Sequence, residues 1–172
     1  MVVSVFSRLV KWIGGRLPFV LALIAVIFAI IPFRLPGSLE MTPLYPLMVV
    51  FFWGNHRGDL MTPGPIFFTG LLYDLLSGAP PGLWALVLLL CHGLALVLRD
   101  TFGRALHSAW AVFAVTCAAA CFLVWLLGSI YDWEIKSPME FIVAGLVSIA
   151  LYPFFGVAFA FIERRVVAPM RA

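Results

Sequence analysis

Six apolar runs, joined by connections of about ten residues at most, constrain this chain more than any other feature of its sequence. They extend approximately over Leu17 to Phe33, Thr42 to Trp53, Pro65 to Ser77, Leu83 to Leu98, His107 to Ile130, and Met139 to Ile162. Apolar residues make up 64% of the 172 residues and charged residues 11%, and the mean hydropathy is +1.11, which is typical of a membrane protein. We therefore predict an all-α, polytopic integral membrane protein of about six transmembrane helices. Residues 1–172 form a single membrane domain, because the connections are too short to fold alone.

The second and third runs are only about twelve or thirteen residues long, or about 20 Å as helix, whereas the hydrocarbon core measures about 30 Å. They can therefore either span a locally thinned bilayer or form a re-entrant pair. A re-entrant pair would place His56, Arg57 and Asp59 near the bilayer centre, at considerable cost. We favour two short spanning helices.

Positive residues predict the orientation of the chain. With six spans and the N-terminus inside, nine of the eleven Lys and Arg residues fall on the cytoplasmic side: Arg8, Lys11, Arg16, Arg57, Arg99, Arg104, Arg164, Arg165 and Arg171. Both termini are then cytoplasmic. Residues 2–13 read as an interfacial amphipathic helix that ends at Gly14-Gly15, helix 1 follows Pro18, and residues 163–172 form a basic tail. The arginines do not alternate with exposed aromatics as in a nucleic-acid groove, so no nucleic-acid partner is expected.

Asp74 lies in the interior of an apolar run, whereas every other Asp or Glu falls at a predicted boundary or in a loop. In helical register it shares a face with Gly70 and Gly78. A carboxylate near the bilayer centre costs about 2.5 to 3.5 kcal/mol, so it normally faces a partner group or a wet cavity. Asp74 is therefore a candidate functional residue. An aspartyl dyad is unsupported, because there is no second intramembrane acid. An intramembrane enzyme that pairs Asp74 with His92 is the weakest alternative, because it rests on two residues whose proximity the sequence does not show.

Other chemical signals are weak. Cys91, Cys117 and Cys121 all lie within apolar runs and, with one distant histidine, do not make a metal-ligand set. Zinc-protease, serine-hydrolase and phosphate-loop motifs are absent from the sequence. Ala25 and Ala29 have the spacing of a close helix contact. We expect no enzyme activity, no cofactor and no metal.

The central third of the chain carries an ordered motif. It reads Tyr45-Pro46, then Phe-Phe-Trp53, Arg57-Gly-Asp-Leu-Met, and finally Phe68-x-Gly-Leu-Leu-x-Asp-Leu-Leu-Ser-Gly-x-Pro-x-Gly82-x-x-Ala-Leu86. The order of an aromatic-Trp pair, an Arg, and Gly-x-x-x-Asp-x-x-x-Gly-x-x-x-Gly resembles the MreD family of bacterial rod-shape proteins. The resemblance also extends to the length and helix count of the whole chain. Gly58 departs from it, since family members often have proline after the Arg.

The resemblance implies a non-enzymatic scaffold of the cell-elongation machinery (the elongasome) in the bacterial inner membrane, where it supports peptidoglycan synthesis and cell shape. The implied partners are MreC and, indirectly, MreB, RodA and a penicillin-binding transpeptidase. Its motif residues would either fix internal packing or form a docking surface: Trp53, Arg57, Gly70, Asp74, Gly78 and Gly82. The family fold is said to resemble the substrate-binding subunits of energy-coupling-factor vitamin transporters. A subunit of that kind, with Ala25 and Ala29 docking its energising module, is the alternative function.

Overall fold

A computed structural model describes the backbone of residues 2–31, 43–102 and 106–167, and the side chains of residues 16–31, 43–100 and 109–165. Within these ranges the structure is all-helical and contains no strand. Its six α-helices are α1 (Val2–Ile30), α2 (Tyr45–His56), α3 (Pro63–Ser77), α4 (Leu83–Phe102), α5 (Leu106–Asp132) and α6 (Pro138–Ile162), and a π-helical turn (Glu163–Val167) follows α6. Each predicted apolar run therefore overlaps one helix.

Three of these helices are long and apolar enough to cross a membrane. The segments that qualify are Leu83–Asp100, Ala109–Asp132 and Pro138–Arg165, and Arg16–Ile30 is a shorter apolar helical segment. The expected short lengths of the second and third helices are confirmed, with 12 residues in α2 and 15 in α3. The structure thus supports a helical membrane protein, with three long apolar helices among the described residues.

The first helix differs from the sequence prediction. We expected an interfacial segment to end at Gly14-Gly15 and a separate helix to follow Pro18, but α1 runs without interruption from Val2 to Ile30 and contains Pro18. The residues after Pro18 continue as strongly apolar helix, which outweighs the local preference of glycine and proline for a break. The amphipathic pattern at 2–13 concerns side chains outside the described set.

The short helix α2 lies at the centre of the bundle. It packs against α1, α3, α4 and α6, and every residue from Pro46 to Gly54 is buried. The outer helices pack in the order α1, α3, α4, α5 and α6 around it. Because α2 is enclosed by protein, its length need not match the hydrocarbon thickness. This arrangement explains how so short a helix fits within a membrane bundle.

Aromatic rings join α2 to the C-terminal helices. The ring of Phe51 lies 5.1 Å from that of Phe113 on α5 and 5.5 Å from that of Tyr152 on α6, both edge-on. Phe113 and Tyr152 are themselves stacked at 4.0 Å between ring centroids. Such pairs add about 0.5–1.5 kcal/mol each beyond the burial of their area, so this cluster anchors the centre of the bundle.

Two helix boundaries lie where the sequence predicts them. Residues 78–82 separate α3 from α4, as the Pro80-Pro81-Gly82 sequence predicts. Ser137-Pro138 begins α6, where the Ser137 hydroxyl accepts a hydrogen bond from the Met139 N–H. The predicted loop at residues 32–41, the middle of the turn at 99–104, and the end of the basic tail, residues 168–172, lie outside the described residues.

Candidate functional site

Asp74 is completely buried at the junction between α3 and α4. Its Oδ2 accepts a hydrogen bond from the Gly82 N–H at 2.8 Å, and its Oδ1 accepts one from the Trp84 N–H at 2.8 Å. A longer contact of 3.5 Å joins Oδ2 to the Ala85 N–H. These are backbone donors at the start of α4, which have no acceptor within their own helix. Asp74 therefore caps α4 from the neighbouring helix.

The negative charge of such a cap also suits its position. The N-terminus of a helix carries a partial positive charge, and carboxylates near it stabilise the helix by about 0.3–2 kcal/mol. Hydrogen bonds to a charged acceptor are stronger than those between neutral groups. Both oxygens of the Asp74 carboxylate are thus used to hold α4 in place.

Gly70 lets the two helices approach closely enough for this cap to form. A Cβ atom placed on Gly70 would lie 2.3 Å from the Ala85 Cα and 2.5 Å from the Ala85 N, both of which are backbone atoms. Backbone cannot move aside as a flexible side chain can. Glycine is therefore required at this position for α3 and α4 to pack as they do.

Gly78 and Gly82 shape the turn between the same helices. Gly78 ends α3 with φ of 71°, and Gly82 precedes α4 with φ of 94°. Residues with a Cβ rarely adopt either angle, whereas glycine does so readily. The spacing Gly70, Asp74, Gly78, Gly82 thus corresponds to one junction, with a close contact, a cap and two turn positions.

The remaining two motif residues lie at the opposite end of α3. Trp53 is fully buried near the end of α2, and its Nε1 has no hydrogen-bond partner among the described residues. Arg57 follows α2, where its Nε lies 3.4 Å from Asp59 Oδ1 and its Nη1 lies 3.9 Å from Glu163 Oε1. The six predicted site residues therefore form two groups rather than one.

Arg57 connects the turn after α2 to the π-helical turn after α6. A second link lies close by, since the Arg99 Nη1 donates to the Asn55 carbonyl at 2.9 Å. Four of the arginines predicted to be cytoplasmic, Arg57, Arg99, Arg164 and Arg165, therefore belong to elements that meet at one end of the bundle.

His92 lies apart from Asp74. The Asp74 cap sits at the first residues of α4, and His92 is eight residues beyond Trp84, or about 12 Å along the helix. His92 is 9% exposed and lies against α2, where a Cβ on Gly54 would be 2.5 Å from its Nδ1. The structure does not bring the two residues together as an acid–base pair.

The cysteines pack where α4, α5 and α6 meet. The Cys91 Sγ is 3.7 Å from the Thr116 carbonyl oxygen, and the Cys117 Sγ is 3.7 Å from the Gly145 carbonyl oxygen. A Cβ on Gly145 would meet the Cys121 Sγ at 2.9 Å. In the described portions of the chain, no group of three or more His, Cys, Asp or Glu side chains has the geometry to hold a metal ion.

Sequence reasoning missed a second cap of the same kind. The Ser148 hydroxyl on α6 accepts a hydrogen bond from the Leu44 N–H at 2.9 Å and donates one to the Ala144 carbonyl at 2.7 Å. Leu44 precedes α2 and has no capping side chain of its own. A lone serine in a long apolar helix was the available signal, but the sequence gives no means of locating a donor that lies 104 residues away.

Comparison of the chain with protein-family models, with characterised proteins and with solved structures yielded no match.

Proposed function

We propose that this chain is a non-enzymatic membrane scaffold of the bacterial cell-elongation machinery, similar in role to members of the MreD family. In this role it lies in the inner membrane with both termini cytoplasmic. It associates with an MreC-like bitopic protein and, through it, with an MreB-like filament, a RodA-like glycosyltransferase and a penicillin-binding transpeptidase.

The observation that carries the proposal is the ordered motif of the central third, from Trp53 to Gly82. Its spacing has a physical basis in this chain, since Gly70, Asp74 and Gly82 build one junction between α3 and α4. Both Asp74 oxygens accept backbone hydrogen bonds, which supports a structural rather than a catalytic role for the buried acid.

Affinity purification from native membranes tests the proposal. The tagged chain, extracted in mild detergent, should retain a protein with one transmembrane helix and a large extracytoplasmic part, identified by mass spectrometry. Depletion of the chain should convert rod-shaped cells to round ones. Retention of an ATPase pair without a bitopic partner would contradict the proposal.

One cavity favours the alternative, a substrate-binding subunit of a vitamin transporter. It has a volume of about 360 Å³ and lies between α1, α2 and α6, with Leu21, Tyr45 and Phe159 among its lining residues. That volume falls within the range of small-molecule sites. A rise in melting temperature with an added vitamin would support this function through linkage, and the scaffold proposal expects no rise.

A further inference from the structure

A proline breaks the hydrogen-bond ladder of α6. Pro153 lies inside this helix, in its C-terminal half. Proline has no backbone N–H, so the Ile149 carbonyl, four residues earlier, lacks the donor that a regular helix would give it, and the proline ring pushes that carbonyl aside. The hydrocarbon core of a membrane offers no water to take the place of the missing donor. The Ile149 carbonyl is therefore open to a donor from another helix.

The Trp110 indole supplies that donor. Its Nε1, on α5, donates to the Ile149 carbonyl at 3.1 Å. Groups on neighbouring helices commonly satisfy the carbonyls that a proline leaves open in a membrane helix. Helices bend most readily at proline, and Gly156 follows within one turn, where its low helix propensity weakens the same region further. The Trp110 bond thus fixes α6 at the place where it can bend most easily.

The two parts of α6 on either side of Pro153 contact different helices. Before the proline, α6 packs against α5: the Gly145 carbonyl lies 3.7 Å from the Cys117 Sγ, and the Tyr152 ring stacks on the Phe113 ring. We call residues 154–167, which include the π-helical turn, the α6 arm. Its contacts are with α2 and the turn after it, through the pairs Phe155 with Tyr45, Phe159 with Phe52, and Glu163 with Arg57.

The α6 arm extends well past the first residue of α5. Trp110 lies four residues, or about 6 Å, from the start of α5 at Leu106, whereas the arm ends about 25 Å beyond Ile149. The two helices are antiparallel neighbours, so most of the arm has no α5 backbone beside it. Its position depends on the angle at Pro153 and on contacts with α2.

An apolar cavity borders the α6 arm on its α1 side. The cavity has a volume of about 360 Å³, with Phe155 and Phe159 of the arm in one wall and Leu21 and Ala25 of α1 in another. At the far end of the arm, the π-helical turn contacts α1. The arm therefore has room beside it, and its position sets the width of this cavity.

An ion pair holds the far end of the arm. The Arg57 Nη1 lies 3.9 Å from the Glu163 Oε1, and the two side chains are only 18% and 20% exposed. Partly buried pairs are screened by salt much less than exposed ones. Arg57 belongs to the ordered motif but lies outside the α3–α4 junction, so this contact gives it a separate structural role.

We propose that α6 is hinged at Pro153, with the Trp110 indole as a latch at the pivot and the Arg57–Glu163 pair as a latch at the tip. The α6 arm is about 20 Å long, so a change of about 15° at the pivot moves its tip by about 5 Å. Such a movement breaks the tip latch and changes the width of the cavity beside α1. The hinge belongs to the fold itself and stands whether or not the chain is a scaffold.

A double-mutant cycle tests the pivot latch. Trp110→Phe removes the indole donor and should lower the thermal unfolding midpoint in lipid nanodiscs by about 3–8 °C. Pro153→Ala restores an N–H that donates to the Ile149 carbonyl, so Trp110→Phe should cost less than half as much in that background. Equal costs in the two backgrounds would overturn the latch. If Trp110→Phe alone does not fold, recovery by Pro153→Ala would support the latch, and no recovery would overturn it.

Trp125→Phe is the matched control for this cycle. It also removes an indole donor, in this case to the Lys136 carbonyl at 2.9 Å, which lies far from Pro153 along α6. Its cost should be the same with and without Pro153→Ala. A cost that falls for both tryptophans would mean that Pro153→Ala stabilises the protein in general, and the pivot latch would be refuted.

Spin-label distances test the hinge itself. One label replaces Val157 on the α6 arm and the other replaces Val97 on α4, which are 68% and 65% exposed, and both are carried by unnatural amino acids so that the native cysteines remain. The otherwise unchanged protein should give one narrow distance distribution. Trp110→Phe together with Glu163→Gln should at least double its width. Pro153→Ala added to that pair should narrow the distribution again.

A second pair of labels separates the hinge from general loosening of the bundle. Leu146 lies before the proline and is 61% exposed, so a label there replaces the one at Val157. Its distance distribution to Val97 should not change in any of these variants. An unchanged Val157 distribution, equal broadening at Leu146, or broadening that persists with Pro153→Ala would overturn the proposed hinge.

Discussion

Replacement of Asp74 by alanine should destabilise the protein more than any other single change at the α3–α4 junction. The substitution removes the acceptor of the Gly82 and Trp84 N–H groups, each at 2.8 Å, inside a completely buried site. Hydrogen bonds to charged groups contribute about 1.5–3 kcal/mol each, so the loss amounts to about 3–6 kcal/mol. The contact to the Ala85 N–H at 3.5 Å is too long to add much.

Asp74→Asn separates the charge from the geometry. An asparagine keeps one oxygen to accept from the Trp84 N–H, but its amide group turns a second donor toward the Gly82 N–H. One buried donor is then unsatisfied, which costs about 1–3 kcal/mol. Asn should therefore fall between the wild type and Ala. Ser77→Ala is the matched control, because Ser77 is exposed and its hydroxyl makes only a 3.5 Å contact with the Asp74 carbonyl.

Thermal unfolding of the purified proteins in lipid nanodiscs, followed by size-exclusion chromatography, gives the ranking. For a chain of this length about 1 kcal/mol corresponds to about 2–4 °C, so the Asp74→Ala midpoint should fall by on the order of 10 °C. Ser77→Ala should match the wild type. Wild-type midpoints for both Asp74 variants, combined with loss of co-purified partner, would show that the residue serves docking instead of capping.

Three further changes test the same packing by the same measurement. Gly70→Ala should cost about 2–4 kcal/mol by forcing α3 away from the α4 backbone. Gly64→Ala is the control and should be neutral or slightly stabilising, because no atom lies within 4 Å of the added Cβ. Equal unfolding midpoints for the two variants would refute the close approach of α3 and α4. Gly78→Ala should cost about 1–2 kcal/mol, because φ is 71° there, and a neutral result would argue against the left-handed turn. Ser148→Ala should cost about 1–2 kcal/mol by leaving the Leu44 N–H without its acceptor, and Ser148→Thr, which keeps the hydroxyl, should recover part of that loss.

The sequence predicted the helices well because each apolar run is bounded by residues that end or begin helices. Pro80-Pro81-Gly82 and Ser137-Pro138 act through local backbone chemistry, which sequence reveals directly. The continuity of α1 across Gly14-Gly15 could not be predicted in this way. Glycine locally favours a break in the helix, but the strongly apolar helix that follows outweighs this preference. The orientation of the chain and the identity of its partners stay predictions.

The sequence predicted the surroundings of Asp74 only in part. Its burial and its small-residue neighbours were predicted from helical register, and the close approach at Gly70 fits that pattern. The donors to Asp74 were not predicted, because they are backbone N–H groups of Gly82 and Trp84 and nearly every residue type carries such a group. The central position of α2 was missed for a related reason: a uniformly apolar helix has no polar face to indicate which side is covered.

The enclosure of α2 has a consequence for how the protein is made. The Leu44 N–H, which precedes α2, donates to Ser148, and the Phe51 ring packs edge-on against Phe113 and Tyr152. These three partner residues are all synthesised later than α2 itself. Until α5 and α6 have entered the membrane, α2 has neither its cap nor most of its aromatic contacts, and it is too short to be held by the bilayer alone. Helices α1, α3 and α4 cover most of α2 first, but the side of α2 that faces α5 and α6 is covered only once the C-terminal half has been made. Truncation after α4 should therefore leave that side of α2 exposed to membrane quality-control proteases.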